Sequence, residues 1–148
     1  DLSILDMNSN NIPWTMEDIS GAFHGLTGLV KLGLRANDIR SIAVHAFAGL
    51  PSLRVLHLED NDITLIQENA FESLKDLQDL RFNSSKLFCD CHLAWMPAWL
   101  KQRGFQHSAL GTCYHPPVLR GAAVTQVDAT DFKCNNTELP KPVILESP

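Results

Sequence analysis

The chain has 148 residues, 45% of them hydrophobic and 20% charged, with a formal net charge of −5. That is a globular mixture, long enough to enclose one core. With no two Lys or Arg residues adjacent, it lacks the footprint of a nucleic-acid binder or a polybasic membrane contact.

No apolar run approaches the ~20 residues of a membrane span, so direct membrane insertion by this chain is not expected. The opening "DLSIL" has neither a charged n-region nor an apolar h-region, which places any signal peptide or anchor outside this sequence.

From the first residues onward a repeat organises the chain. The segments "LSILDMNSNNI" (2–12), "LVKLGLRANDI" (29–39), "LRVLHLEDNDI" (53–63) and "LQDLRFNSSKL" (77–87) fit L-x-x-L-x-L-x-x-N-x-L, with starts spaced 27, 24 and 24 residues apart. Each x-L-x-L stretch predicts a short strand, because alternation sends Leu32 and Leu34, or Leu56 and Leu58, to one face. One coil cannot bury that face alone, so the coils are expected to stack, with their strands in a parallel concave sheet. The returns "GAFHGL", "HAFAGL" and "NAFESL" each add an inward Ala-Phe and a Leu.

Asn10, Asn37 and Asn61 fall where the chain leaves each strand, and a carboxamide there can both accept from and donate to backbone groups of adjacent turns. The fourth unit has Ser85 at this place, so the asparagine ladder is expected to weaken or stop. The first unit carries three extra residues within "NNIPWTMEDISGAF", an outward bulge in which Trp14 either folds back as packing or offers a partner an aromatic contact. The residues alternating with the buried leucines form the concave face. Among them Lys31, Arg35, His57, Glu59, Asp79 and Arg81 are the candidate partner-binding residues. Two N-x-S/T sites, at Asn83 and Asn135, are candidate glycosylation points, and the first lies on the concave face by the same count.

A solenoid end needs a cap. "FCDCHLAWMPAWLKQ" follows the fourth repeat, and the spacing of Leu93, Trp95, Met96, Trp99 and Leu100 predicts a helix with Pro97 in its first turn, laid across the last coil. The rest of the cap is too rich in Pro and Gly to hold by secondary structure alone, so disulfides are expected to staple it. The four cysteines, Cys89, Cys91, Cys113 and Cys134, allow three pairings. Joining Cys89 to Cys91 across one residue is too strained, and the spacing leaves the other two pairings open. Their confinement to one segment favours an oxidising compartment. His92, His107 and His115 lie among them, but C-x-C followed by two lone cysteines is a poor zinc pattern, and no metal or other cofactor is expected.

The A-F-x-x-L returns, the insertion "WTMEDISGAFHGL", the junction "SSKLFCDCHLAWMPAWL", "CYHPPVLRG" and the exit "FKCNNTELPKPVIL" together resemble the leucine-rich repeats and immunoglobulin-like domains family. The resemblance implies a leucine-rich-repeat arc over residues 1–88, a cysteine-rich cap over 89–134 and a linker over 135–148 toward an immunoglobulin-like domain. It implies bridges of Cys89 with Cys113 and of Cys91 with Cys134. It also implies an ectodomain of a single-span surface protein that modulates growth-factor receptors, with a cell-surface receptor ectodomain as partner. Because such ectodomains carry more repeats, Leu2, Leu5 and Met7 would begin an uncapped edge that is mobile, self-associating or shielded by another molecule.

An innate-immune or adhesion solenoid reading a pathogen or matrix ligand is the alternative. Catalysis is not expected: Asp79 neighbours His57 on the next strand by the count above, yet the sequence offers no nucleophile with a base and no phosphate-binding loop.

Overall fold

The computed structural model describes residues 3–9, 25–44 and 46–134. Asn10, Trp14, Asn135 and the linker over 135–148 lie outside the described residues.

Strands β1 (Ile4–Asp6), β2 (Lys31–Gly33), β4 (Val55–His57), β6 (Asp79–Phe88) and β7 (Ala109–His115) form one parallel sheet in that order. On the return side β3 (Ser41–Ile42) pairs in parallel with β5 (Leu65–Ile66). The register follows the repeat: Leu5, Leu32, Leu56 and Leu80 are aligned across four strands. From the second coil on, these leucines and Leu34, Leu58 and Phe82 are buried in one core that runs through the coils into the cap. On the return side Phe47 stacks on Phe71 at a ring-centroid distance of 5.8 Å.

Where each coil leaves the sheet, Ser9, Ala36 and Asp60 take up left-handed backbone conformations with φ of 62°, 58° and 59°. Such a turn frees backbone groups, and the next coil receives them: Ser9 N–H donates to Arg35 O at 2.7 Å and Ala36 N–H to Glu59 O at 2.9 Å. Asn61, itself 2% exposed, lies beneath the turn. Its Oδ1 accepts from Asn37 N–H (2.8 Å) and Ile39 N–H (2.9 Å), while its Nδ2 donates toward Leu34 O (3.0 Å), Leu58 O (3.0 Å) and Glu59 O (3.2 Å). Asn37 repeats the bridge one coil earlier, its Nδ2 donating to Met7 O at 2.7 Å.

The fourth coil departs from the short-strand expectation. No turn follows Phe82; the chain continues extended to Phe88 and pairs with β7 over Phe82 to Phe88. Ser84, not Ser85, points inward, and its hydroxyl donates to Ile63 O at 2.6 Å. The amide ladder thus ends at Asn61 and a hydroxyl closes it. The cap is held by strand pairing and a helix together with sulfur. β7 buries Ala109, Gly111 and Cys113 while Leu110 and Tyr114 face out.

Helix α1 (Met96–Arg103) carries Pro97 in its first turn, where the missing N–H breaks no intrahelical bond. Leu93 falls instead in a separate short turn, Cys91–Leu93, capped by the Asp90 carboxylate. The helix lays Trp99 on Phe71 at 5.4 Å, so the stack of return-side phenylalanines is continued by the cap. Arg103 sits over the rings of Trp99 and Phe105, 5.5 Å from each, and its Nη2 donates to Leu74 O (3.2 Å) and Leu77 O (3.3 Å) of the last return path. Cys89 is bonded to Cys113 and Cys91 to Cys134, closing separations of 24 and 43 residues. Each cross-link is worth about 3–4 kcal/mol in the loop-entropy picture.

Two substitutions test this packing by urea denaturation. Asn61→Ala strands several buried backbone groups at once and is expected to cost about 2–4 kcal/mol. At Gly111 an added Cβ runs into Leu87 Cδ1 and comes within 3.3 Å of Val124 Cγ1. Gly111→Ala is therefore expected to cost about 1–3 kcal/mol, although alanine is ordinarily no worse than glycine in a strand.

Candidate functional site

Strand pairing arranges the outward side chains of the sheet in ranks about 4.8 Å apart. Ile4, Lys31, Val55 and Asp79 form one rank, and Asp6, Gly33, His57 and Arg81 the next. Beyond them stand Asn8, Arg35, Glu59 and Asn83, each just after its strand's second inward position. Of the candidate binding residues, Arg35 and Arg81 are exposed and Lys31, His57, Glu59 and Asp79 half-buried.

The ranks correct one expectation: His57 is opposite Arg81, and Asp79 is opposite Val55. Asp79 binds Arg81 Nε at 3.1 Å on its own strand, so the neighbourhood imagined for a His57–Asp79 dyad is occupied by an arginine. That ion pair is half in solvent, with side chains 51% and 31% exposed, and contributes little to stability. Its effect is to fix the Arg81 guanidinium on the face.

Gly33 opens the middle of the second rank. A Cβ there would lie 2.9 Å from Asn8 Oδ1, so glycine is what lets the Asn8 carboxamide cross the face and accept from Arg35 N–H at 2.7 Å. Glu59 has a different status. Its Oε1 is shielded from solvent and has no hydrogen-bond partner among the described residues.

Asn83 is exposed on the concave side, as the repeat count predicts, but it also has a structural part that the count does not show. Its Oδ1 accepts from Asp60 N–H at 2.6 Å, the place that a backbone carbonyl fills in the two preceding coils. A glycan on Nδ2 leaves that oxygen free to accept. The face also runs further than four repeats: Leu110, 55% exposed, is opposite Asn83 on β7, and Asp60, Asp62, Asn83, Ser85, Leu110 and Thr112 border a polar hollow of about 380 Å³. Sequence reasoning missed this fifth strand. The signal was there in "ALGTCYH", whose alternation becomes visible once the small residues are taken as the inward set.

In the cap, the two bridges differ in setting. Cys89 and Cys113 are buried at 0% and 1% exposure, whereas Cys91 lies at the surface beside His92 and Asp90. Among the described residues no helix is long and apolar enough to cross a membrane.

Comparison with known proteins agrees with this geometry. The leucine rich repeat family model matches residues 27–87. The human leucine-rich repeats and immunoglobulin-like domains protein 2 is 55% identical over 123 residues, 83% of this chain and 12% of that protein. The mouse leucine-rich repeats and immunoglobulin-like domains protein 3 is 55% identical over 135 residues, 91% of this chain and 12% of the relative. Among solved structures, human 5T4, a trophoblast glycoprotein, superposes with a TM-score of 0.65 at 26% identity, covering 90% of this chain and 47% of that one. With its repeat register, its capped end and these relatives together, the chain carries the leucine-rich repeats of the leucine-rich repeats and immunoglobulin-like domains family, over 12% of the length of its relatives.

Proposed function

We propose that the chain is an extracellular protein-binding and scaffolding segment of a single-span membrane protein that modulates growth-factor receptor signalling, with a receptor ectodomain as its partner. The residues over 135–148 then act as the linker from the cap to an immunoglobulin-like domain. The observation that carries the binding part is the concave face: ranked charges on a hydrogen-bonded sheet, with Arg35 and Arg81 exposed. A rigid sheet holds such groups with little ordering cost on binding, and arginine serves well in desolvated contacts. Two disulfides within 46 residues of cap support an oxidising compartment. The assignment to growth-factor receptors rests on the family.

Affinity capture of receptor ectodomains by this chain, alongside the longer ectodomain, tests the reading. Both are expected to retain a receptor tyrosine kinase ectodomain. Arg35→Ala and Arg81→Ala are each expected to weaken this chain's binding about five- to thirtyfold, or about 1–2 kcal/mol. Failure of both forms to retain any receptor contradicts the proposal.

The glycan reading separates from the structural part of Asn83 by a paired substitution. In material secreted from mammalian cells, Ser85→Ala is expected to remove the glycan mass at Asn83 and leave stability nearly unchanged. Asn83→Ala is expected to remove the same mass and cost about 1 kcal/mol more, because Asp60 N–H loses its acceptor. Intact mass and urea melts read both; identical masses for the parent and Ser85→Ala exclude a glycan there.

A further inference from the structure

Asp90, Cys91, His92 and Cys134 place one ligand atom each within 4.8 Å of one another at the outer edge of the cap. His92 Nδ1 is 3.9 Å from Cys91 Sγ, 3.8 Å from Cys134 Sγ and 3.1 Å from Asp90 Oδ1. A tetrahedral zinc ion with bonds of about 2.0–2.3 Å holds its ligands about 3.3–3.8 Å apart. Three edges of that tetrahedron thus stand within a few tenths of an ångström of the required lengths. The edge between the two sulfurs is closed, because a disulfide bond occupies it.

We propose that opening the Cys91–Cys134 bridge converts this cluster into a zinc-class metal site with two thiolates, the His92 imidazole and the Asp90 carboxylate as ligands. The opening step needs a reductant, and a small or protein dithiol supplies it. One thiolate of the dithiol attacks a sulfur of the bridge, the second resolves the mixed disulfide, and the reagent leaves as a cyclic disulfide. Two electrons and two protons pass to Cys91 and Cys134. On metal binding the two thiol protons go to solvent as two metal–sulfur bonds form, and the imidazole carries its proton on Nε2.

Access decides which bridge opens. Thiol–disulfide exchange requires the attacking sulfur to reach the bond in line. Cys91 is exposed and Cys134 half-buried, whereas Cys89, directly after β6, and Cys113, within β7, are 0% and 1% exposed. The inner bridge, α1 and the β6–β7 pairing therefore keep the ligand-bearing turn in place while the outer bridge is open. The metal then spans the same 43-residue separation that the disulfide spanned, the two sulfurs moving apart from bonding distance to the ~3.8 Å edge of the tetrahedron. Two sulfurs, one nitrogen and one oxygen at tetrahedral spacing suit zinc over magnesium or calcium, which prefer oxygen ligands in larger number. The C-x-C spacing argued against zinc only while the cysteines were counted as one sequence motif. The fold brings Cys134 to Cys91 from far along the chain.

The test uses the full chain with both disulfides formed. Limited dithiothreitol treatment followed by alkylation and peptide mapping is expected to label Cys91 and Cys134 before Cys89 and Cys113. The reduced chain, titrated anaerobically with Co²⁺, is expected to bind one ion with a thiolate-to-cobalt charge-transfer band that added Zn²⁺ abolishes, while the oxidised chain shows no band. His92→Ala, at an exposed position, is expected to weaken cobalt binding at least about tenfold. The paired Cys91→Ser and Cys134→Ser variant is expected to abolish it, with the far-UV circular dichroism retained. Simultaneous opening of both bridges, absence of the band in reduced chain that keeps its circular dichroism, or equal affinity in His92→Ala would each overturn the proposal.

Discussion

The stacking of Trp99 on Phe71 is the contact on which the remaining architecture depends. A leucine-rich coil presents one apolar face to each neighbour, and the last coil has no following repeat to cover Phe71, Leu74, Leu77 and Leu80. Water there would undo the burial that drives the stacking of every earlier coil, since each is stable only against the next. The cap answers with an aromatic ring placed where another repeat's phenylalanine would be, 5.4 Å from Phe71, and with Arg103 donating to the carbonyls of Leu74 and Leu77. The disulfides then limit the alternatives open to a segment whose own core is small.

The polar side of the problem is solved by the same logic of substitution. Each of the first three coils leaves the sheet through a left-handed turn, which exposes backbone groups that must find partners inside the stack. In the middle of the arc, Asn37 and Asn61 provide them. At the end, where the chain runs on into β6 instead of turning, Ser84 and Asn83 take over with a hydroxyl and a carboxamide oxygen. The concave face is a by-product of this order. Its ranks are straight because the register beneath them is fixed by aligned leucines, so Arg35, Glu59 and Arg81 stand at set spacings before any partner arrives.

How much of this could be read in the sequence follows from which residues carried large apolar side chains. Repeats with leucine at alternating positions disclosed their strands, their inward face and the turn asparagines, and the tryptophans of the cap disclosed a helix across the last coil. The strand Ala109–His115 was not legible in the same way. Its inward positions are Ala, Gly and Cys, chosen small because Leu87, Phe82 and Val124 already fill the space, while its larger residues face out. Hydrophobicity alone reverses such a strand. The unequal exposure of the two bridges was equally hidden, since Cys89 is buried directly after β6 while Cys91, only two residues on, opens the surface turn Cys91–Leu93. Asp79 was misplaced for a simpler reason: adjacency of repeats was read as adjacency of side chains, and the register pairs His57 with Arg81.

Native-state hydrogen exchange across the sheet tests the central claim most directly. If the cap seals a single continuous core, the paired amides of β4, β6 and β7 exchange together, at the free energy of global unfolding, as long as the disulfides are intact. Exchange of β6 and β7 amides at a much lower free energy than those of β4 would show that the cap opens independently of the coils, and would contradict the account.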